Sequence, residues 1–292
     1  MLTADDHEAL SQLQLLSAGV VDGITGGRHR SRHRGASVEF KEHRQYVRGD
    51  EVRSLDWKLY GKTDRLFIRQ YEDESHLRAM VLLDQSGSMA YRGARSLLSK
   101  HQFAIRLAAC LSTLFIAQQD AVGVATLDTG LRALVPPRST PGHLQNIFEA
   151  LVASRPGAET SLATALRQAA AQLRRRGVLI LLSDCFDNVD RLLLALQSFR
   201  RSGSEVVVFP IWDPDELDFP FHGRTQFRSL EVPADQRTVD ANGVRTAYLK
   251  RWEEFHERLM QGARRERIDI FACTTDQTYA DILRAYLAGR RA

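Results

Sequence analysis

From Leu77 to its end, the chain alternates short apolar runs with longer stretches in which apolar residues recur every three or four positions. The short runs predict buried strands at Leu77–Leu83, Ala121–Leu127, Val178–Leu182, Glu205–Trp212 and Ile268–Cys273. The longer stretches predict helices at Ala94–Gln119, Gly142–Ala153, Leu162–Arg176, Val189–Arg201, Arg245–Arg265 and Thr278–Ala288. Leu131–Val135 follows Ala121–Leu127 after only Asp128-Thr129-Gly130, so these two strands should pair antiparallel, ending at Pro136-Pro137. Residues 213–241 read as irregular, with one hairpin near Thr225–Val232. Strands alternating with helices predict an α/β fold, a mostly parallel sheet with helices on both faces.

Upstream the pattern differs. Leu10, Leu13 and Leu16 predict an amphipathic helix over Asp5–Ser17, with Gly19 just past its end and a glycine-broken loop to Gly27. Ser37–Val47 reads as an extended edge segment, Asp56-Trp57 as the start of a helical turn, and Leu66–Tyr71 as a strand. The expected division is therefore 1–76, a helix, basic arm and β-rich extension, and 77–292, the α/β domain.

Composition narrows the class. A chain 43% hydrophobic and 26% charged is ordinary for a soluble globular protein. Cys110, Cys185 and Cys273 are far apart and odd in number, which predicts buried free thiols in a reducing compartment. The polar amino-terminal residues lack a secretory pattern, and the longest apolar run, Leu107–Ala117, is too short for a bilayer. The expectation is a cytoplasmic protein without a membrane span.

The net charge of +4 is uneven: twelve Lys/Arg against six Asp/Glu lie between Gly26 and Tyr71. GRHRSRHRG, Gly27–Gly35, is the densest part and makes nucleic-acid binding an alternative function. Its lack of interleaved aromatic residues argues against a single-strand stacking platform.

The candidate chemistry lies at strand ends, where ligands bind in open α/β sheets. Met80–Leu83 run into Asp84, followed by Ser86 and Ser88; Thr160 precedes one predicted helix; Asp184 ends the strand at Val178. Two carboxylates and three hydroxyls form an all-oxygen set, the kind preferred by Mg²⁺ or Mn²⁺. Neutral hydroxyls leave such an ion electron-poor and receptive to a carboxylate from another molecule. The bland alternative is that the acids cap helices and the serines satisfy turn amides.

Asp84-x-Ser86-x-Ser88, Thr160 and Asp184 resemble the metal-ion-dependent adhesion site (MIDAS) of von Willebrand factor A domains. The segment from Arg44 to Glu74, followed directly by the strand and DxSxS, is similar to a bacterial von Willebrand A-like family of unknown function. Its members are typically encoded beside MoxR-type AAA+ ATPases. The resemblance implies a Rossmann-type von Willebrand A-like fold and a non-enzymatic, metal-dependent protein-binding module. Its implied partner is a MoxR-like ATPase or that enzyme's client. A metal-dependent phosphotransferase is the catalytic alternative, but the position for its second carboxylate, the general acid, holds Ser86. No P-loop, dinucleotide-binding turn or GxSxG elbow is present.

Overall fold

The computed structural model describes residues 4–25, 39–46, 57–63, 65–72, 77–157, 161–173, 176–232 and 234–290. The basic arm at 27–35, the 47–56 stretch and Thr160 lie outside them.

Helix α1 (Ala4–Thr25) runs straight through Gly19 and Gly23, eight residues beyond the predicted stop. A glycine inside a helix costs about 1 kcal/mol relative to alanine. Burial of Leu10, Leu13 and Val21 in the main core offsets that cost. Because α1 packs on helices of the α/β region, the division expected at residue 76 is corrected. Met1–Gly27 join Leu77–Ala292 in one unit, and Arg28–His76 form the other. In the smaller unit, β1 (Glu39–Gln45) pairs antiparallel with β2 (Phe67–Glu72), with a bulge between Phe40 and Glu42; α2 spans Trp57–Thr63.

The larger unit follows the predicted alternation closely. β3 (Arg78–Asp84), a 3-10 turn at Gly87–Ala90, α3 (Lys100–Ala117), β4 (Ala121–Leu127), β5 (Leu131–Arg138) and α4 (His143–Ala153) come first. Then come α5 (Leu162–Gln172), β6 (Val178–Ser183), α6 (Val189–Arg201) and β7 (Glu205–Trp212). The segment read as irregular contains α7 (Pro214–Asp218) and a hairpin of β8 (Arg224–Arg228) and β9 (Gln236–Asp240). α8 (Ala241–Arg265), β10 (Asp269–Ile270), β11 (Cys273–Thr274) and α9 (Tyr279–Gly289) complete the chain.

The strand order is β10-β7-β6-β3-β4-β5, with β11 also on β7, and every pair is parallel except β4 with β5. This is the α/β architecture expected, a mostly parallel sheet flanked by helices. The two-residue side-chain period of a strand sends alternate residues to opposite cores. Val81 and Leu83 join one core with α1, α3, α4 and α9; Met80 and Leu82 join the other with α5, α6 and α8.

Two local departures have clear causes. β5 continues through Pro136 and Pro137, where the sequence predicted a stop. It is an edge strand, where a missing N–H costs no ladder bond. Gly123 of β4 permits the close approach, since a Cβ there would sit 2.4 Å from the Val135 carbonyl oxygen. Helix α3 begins at Lys100 rather than Ala94 because Ser99 caps it in a reciprocal box with Gln102.

Candidate metal centre

The parallel register that sets Leu83 opposite Leu182 brings the carboxyl ends of β3 and β6 side by side. Asp84 and Asp184 are therefore neighbours, 2% and 1% exposed. Asp84 accepts the Ser86 amide at 2.8 Å and the Ser183 hydroxyl at 2.5 Å. The Ser86 and Ser88 hydroxyls lie 3.0 Å apart. Asp184 accepts the Phe186 amide at 3.1 Å, and its backbone carbonyl accepts the Trp212 indole N–H at 3.0 Å. Four of the five sequence-predicted ligands are thus at one sheet end, and Thr160 lies outside the described residues. The Gly157 amide donates to the Gln85 carbonyl at 2.6 Å, which ties the stretch ending at Gly157 to the DxSxS loop.

Three further residues complete the centre. Ser183 both donates to Asp84 and accepts the Cys185 amide at 2.9 Å. Lys100, the first residue of α3, is fully buried and donates to Asp184 at 2.7 Å and to Glu216 at 2.6 Å. Its ammonium also lies 4.7 Å from the Phe186 ring centre and 5.9 Å from that of Tyr91. Glu216 belongs to a capping box with Asp213 at the start of α7. Only Ser183, beside Asp184 at a strand end, carried a positional signal. Lys100 and Glu216 look in the sequence like ordinary surface charges of a helix start and a loop.

The electrostatics follow from burial. Desolvation, then repulsion from Asp184, pushes the Asp84 carboxyl up to about 7, against the hydrogen bonds from Ser183 and Ser86. Burial works against the Lys100 ammonium, yet Asp184 and Glu216 outweigh it and hold it above the ordinary lysine range. Burial lifts the Glu216 carboxyl against the pull of Lys100. Cys110, Cys185 and Cys273 are buried free thiols, each pushed up chiefly by desolvation and so poor nucleophiles.

A divalent cation fits this donor chemistry. Two buried carboxylates, close enough to repel, lie at the same sheet end as two hydroxyls, an all-oxygen set of the kind a hard divalent cation takes; Lys100 holds one oxygen of Asp184. No cluster of three His, Cys, Asp or Glu suited to a metal occurs among the described residues. Beside the centre, Tyr91, Phe219, Phe221, Phe227 and Tyr248 line a cavity of about 750 Å³ that also includes Glu216. Among the described residues, no helix is long and apolar enough to cross a membrane.

Comparison with known proteins gives relatives without assigned functions. An uncharacterised protein of Mycobacterium tuberculosis strain H37Rv is 26% identical over 229 residues, covering 76% of this chain and 70% of that protein. Among solved structures, the conserved hypothetical protein BatB from Bacteroides thetaiotaomicron matches at 15% identity and a TM-score of 0.44. That match covers 74% of this chain and 98% of BatB. An aerotolerance-related membrane protein from Bacteroides fragilis matches at 18% identity and a TM-score of 0.46, covering 74% of this chain and all of that one. A family model described as "Protein of unknown function DUF58" matches residues 42–258, and the chain belongs to that family.

Proposed function

We propose that this protein is a non-enzymatic, metal-dependent protein-binding module that works with a MoxR-like AAA+ ATPase or with that enzyme's client. The observation that carries the reading is the convergence of Asp84, Ser86, Ser88 and Asp184 at one sheet end, with the two carboxylates buried against each other. In this reading, Asp84, Ser86, Ser88, Thr160 and Asp184 hold one Mg²⁺ or Mn²⁺. The ion would offer an open position to a carboxylate from the partner. The role of the chain's own residues is to fix the donors. Ser183 orients Asp84, the Phe186 amide orients Asp184, and the Gly157–Gln85 bond steadies the loop. The aromatic cavity alongside supports a contact with protein, since apolar surface rimmed by charge marks interaction sites. The MoxR-like partner rests on the family resemblance, and a cytoplasmic setting on the three buried free thiols.

Calorimetry with Mg²⁺ and Mn²⁺ tests the centre: the parent protein should give a binding isotherm and Asp84→Ala none. Equal heats from the two proteins would remove the metal. Capture of the neighbouring ATPase should fall in EDTA, and unchanged capture would separate the metal from the interaction.

A further inference from the structure

Lys100 is unexplained by the fold alone. It opens an 18-residue helix, the end at which the aligned peptide dipoles disfavour a cation. Its side chain is fully buried, which for a lysine carries a heavy desolvation cost unless acids surround it. Its donors go to the two acids, Asp184 and Glu216, and two aromatic rings close over it. Neither capping nor packing calls for a lysine here: Ser99 and Gln102 cap the helix.

The contacts place this ammonium in competition for one ligand. Asp184 gives one oxygen to the Phe186 amide and the other to Lys100. A cation approaching Asp184 must share or displace that second contact. Glu216 lies on the far side of the ammonium and is itself fixed, one oxygen accepting the Asp213 amide at 2.8 Å while the other holds Lys100. The lysine can therefore give up Asp184 and keep a charged partner.

We propose that Lys100 is a resident cation that competes with a divalent ion for Asp184, so that the protein binds Mg²⁺ or Mn²⁺ more weakly than its oxygen ligands alone would, with Glu216 as the retreat for the displaced ammonium. The proposal rests on the metal reading above and adds a residue that sets its affinity. It makes the centre a charge exchange rather than a vacant cage: one cation leaves Asp184 as the other arrives.

The test is calorimetry of the full chain with Mg²⁺ and with Mn²⁺, for the parent, for Lys100→Met/Glu216→Gln and for Glu216→Gln alone. The double variant removes the competing cation without leaving Glu216 unpaired, and it keeps the net charge of the centre. It should bind at least about tenfold more tightly than the parent, the scale expected when Asp184 no longer has to release a charge-assisted hydrogen bond before it takes the ion. Glu216→Gln alone leaves the ammonium entirely to Asp184 and should bind several-fold more weakly. Thermal unfolding supplies a readout independent of heats: Mg²⁺ should raise the melting temperature of the double variant more than that of the parent.

Tighter binding by the double variant supports the proposal even if the parent gives no heat, in which case the native protein is lysine-filled and its metal dependence falls. Equal affinities in parent and double variant, or a weaker double variant, overturn the competition and leave the metal reading standing. Silence from every protein overturns both.

Discussion

The carboxyl ends of β3 and β6 and that of their neighbour β7 use the same residue type to opposite effect. β7 runs into Asp213 and Asp215, both buried. Asp213 accepts the Gly93 and Asp215 amides, each at 2.9 Å, and the Thr275 hydroxyl at 3.3 Å. Asp215 accepts the Ala94 amide and the Arg95 guanidinium, both at 2.9 Å. These carboxylates are consumed in tying the 93–95 turn to the start of α7. Asp84 and Asp184 also receive hydrogen bonds, but they lie close enough to repel, and Lys100 reaches Asp184 and not Asp84. Burial alone does not mark a functional acid. What sets Asp84 apart is burial beside a second carboxylate, whose repulsion its own hydrogen bonds do not offset.

The comparison can be broken at its structural side first. Asp213→Ala should lose the α7 cap and three hydrogen bonds and strand the buried Gly93 amide, for a loss of about 3–4 kcal/mol in denaturant unfolding. A loss under about 1 kcal/mol would mean that the β7 acids are no more structural than the β3 acid.

A buried polar group that is fully consumed should also show itself in the pH dependence. His101 is hydrogen-bonded to the Ser154 hydroxyl at 2.8 Å, and burial, then repulsion from Arg155, lowers it to about 4. The folded state therefore resists a proton that the unfolded chain accepts near 6.5, so stability present above that pH drains as pH falls toward 4. The contribution lost is roughly 3 kcal/mol at most. His101→Gln should flatten this part of the stability curve between pH 6.5 and 4, and an unchanged slope would place the titration elsewhere.

The smallest effect is the most pointed. In EDTA at pH 8, Asp84→Asn keeps an acceptor for the Ser86 amide while removing the repulsion with Asp184. It should stabilise the fold by about 1–2 kcal/mol while abolishing the Mg²⁺ isotherm. Destabilisation of similar size would place Asp84 with the β7 acids as a structural group.

Much of this was legible in the order of residues. MVLLD and VLILLSD are apolar runs ending in an acid, and a parallel sheet sets such ends side by side, so Asp84 and Asp184 could be paired before any coordinates. Lys100 could not. A lysine inside the predicted Ala94–Gln119 helix looks solvent-facing, and only the distant strand end and α7 turn it inward. The length of α1 was misjudged because glycine reports a local preference, whereas Leu10, Leu13 and Val21 report burial against helices far away in sequence. Pro136-Pro137 was read as a stop for the same reason: a proline ends a central strand but not an edge one, and position in the sheet is a tertiary fact.

That proline pair also governs how this molecule can be approached. An exposed strand edge invites another chain to add itself to the sheet, by recruitment or by aggregation. Here one margin carries two consecutive residues that cannot donate, and the opposite margin is reduced to two dipeptide-length strands on β7. Both flanks are poor templates for an incoming strand. In the proposed reading, recognition is then left to side chains and loops at the rim of the sheet, the end at which Asp84 and Asp184 lie.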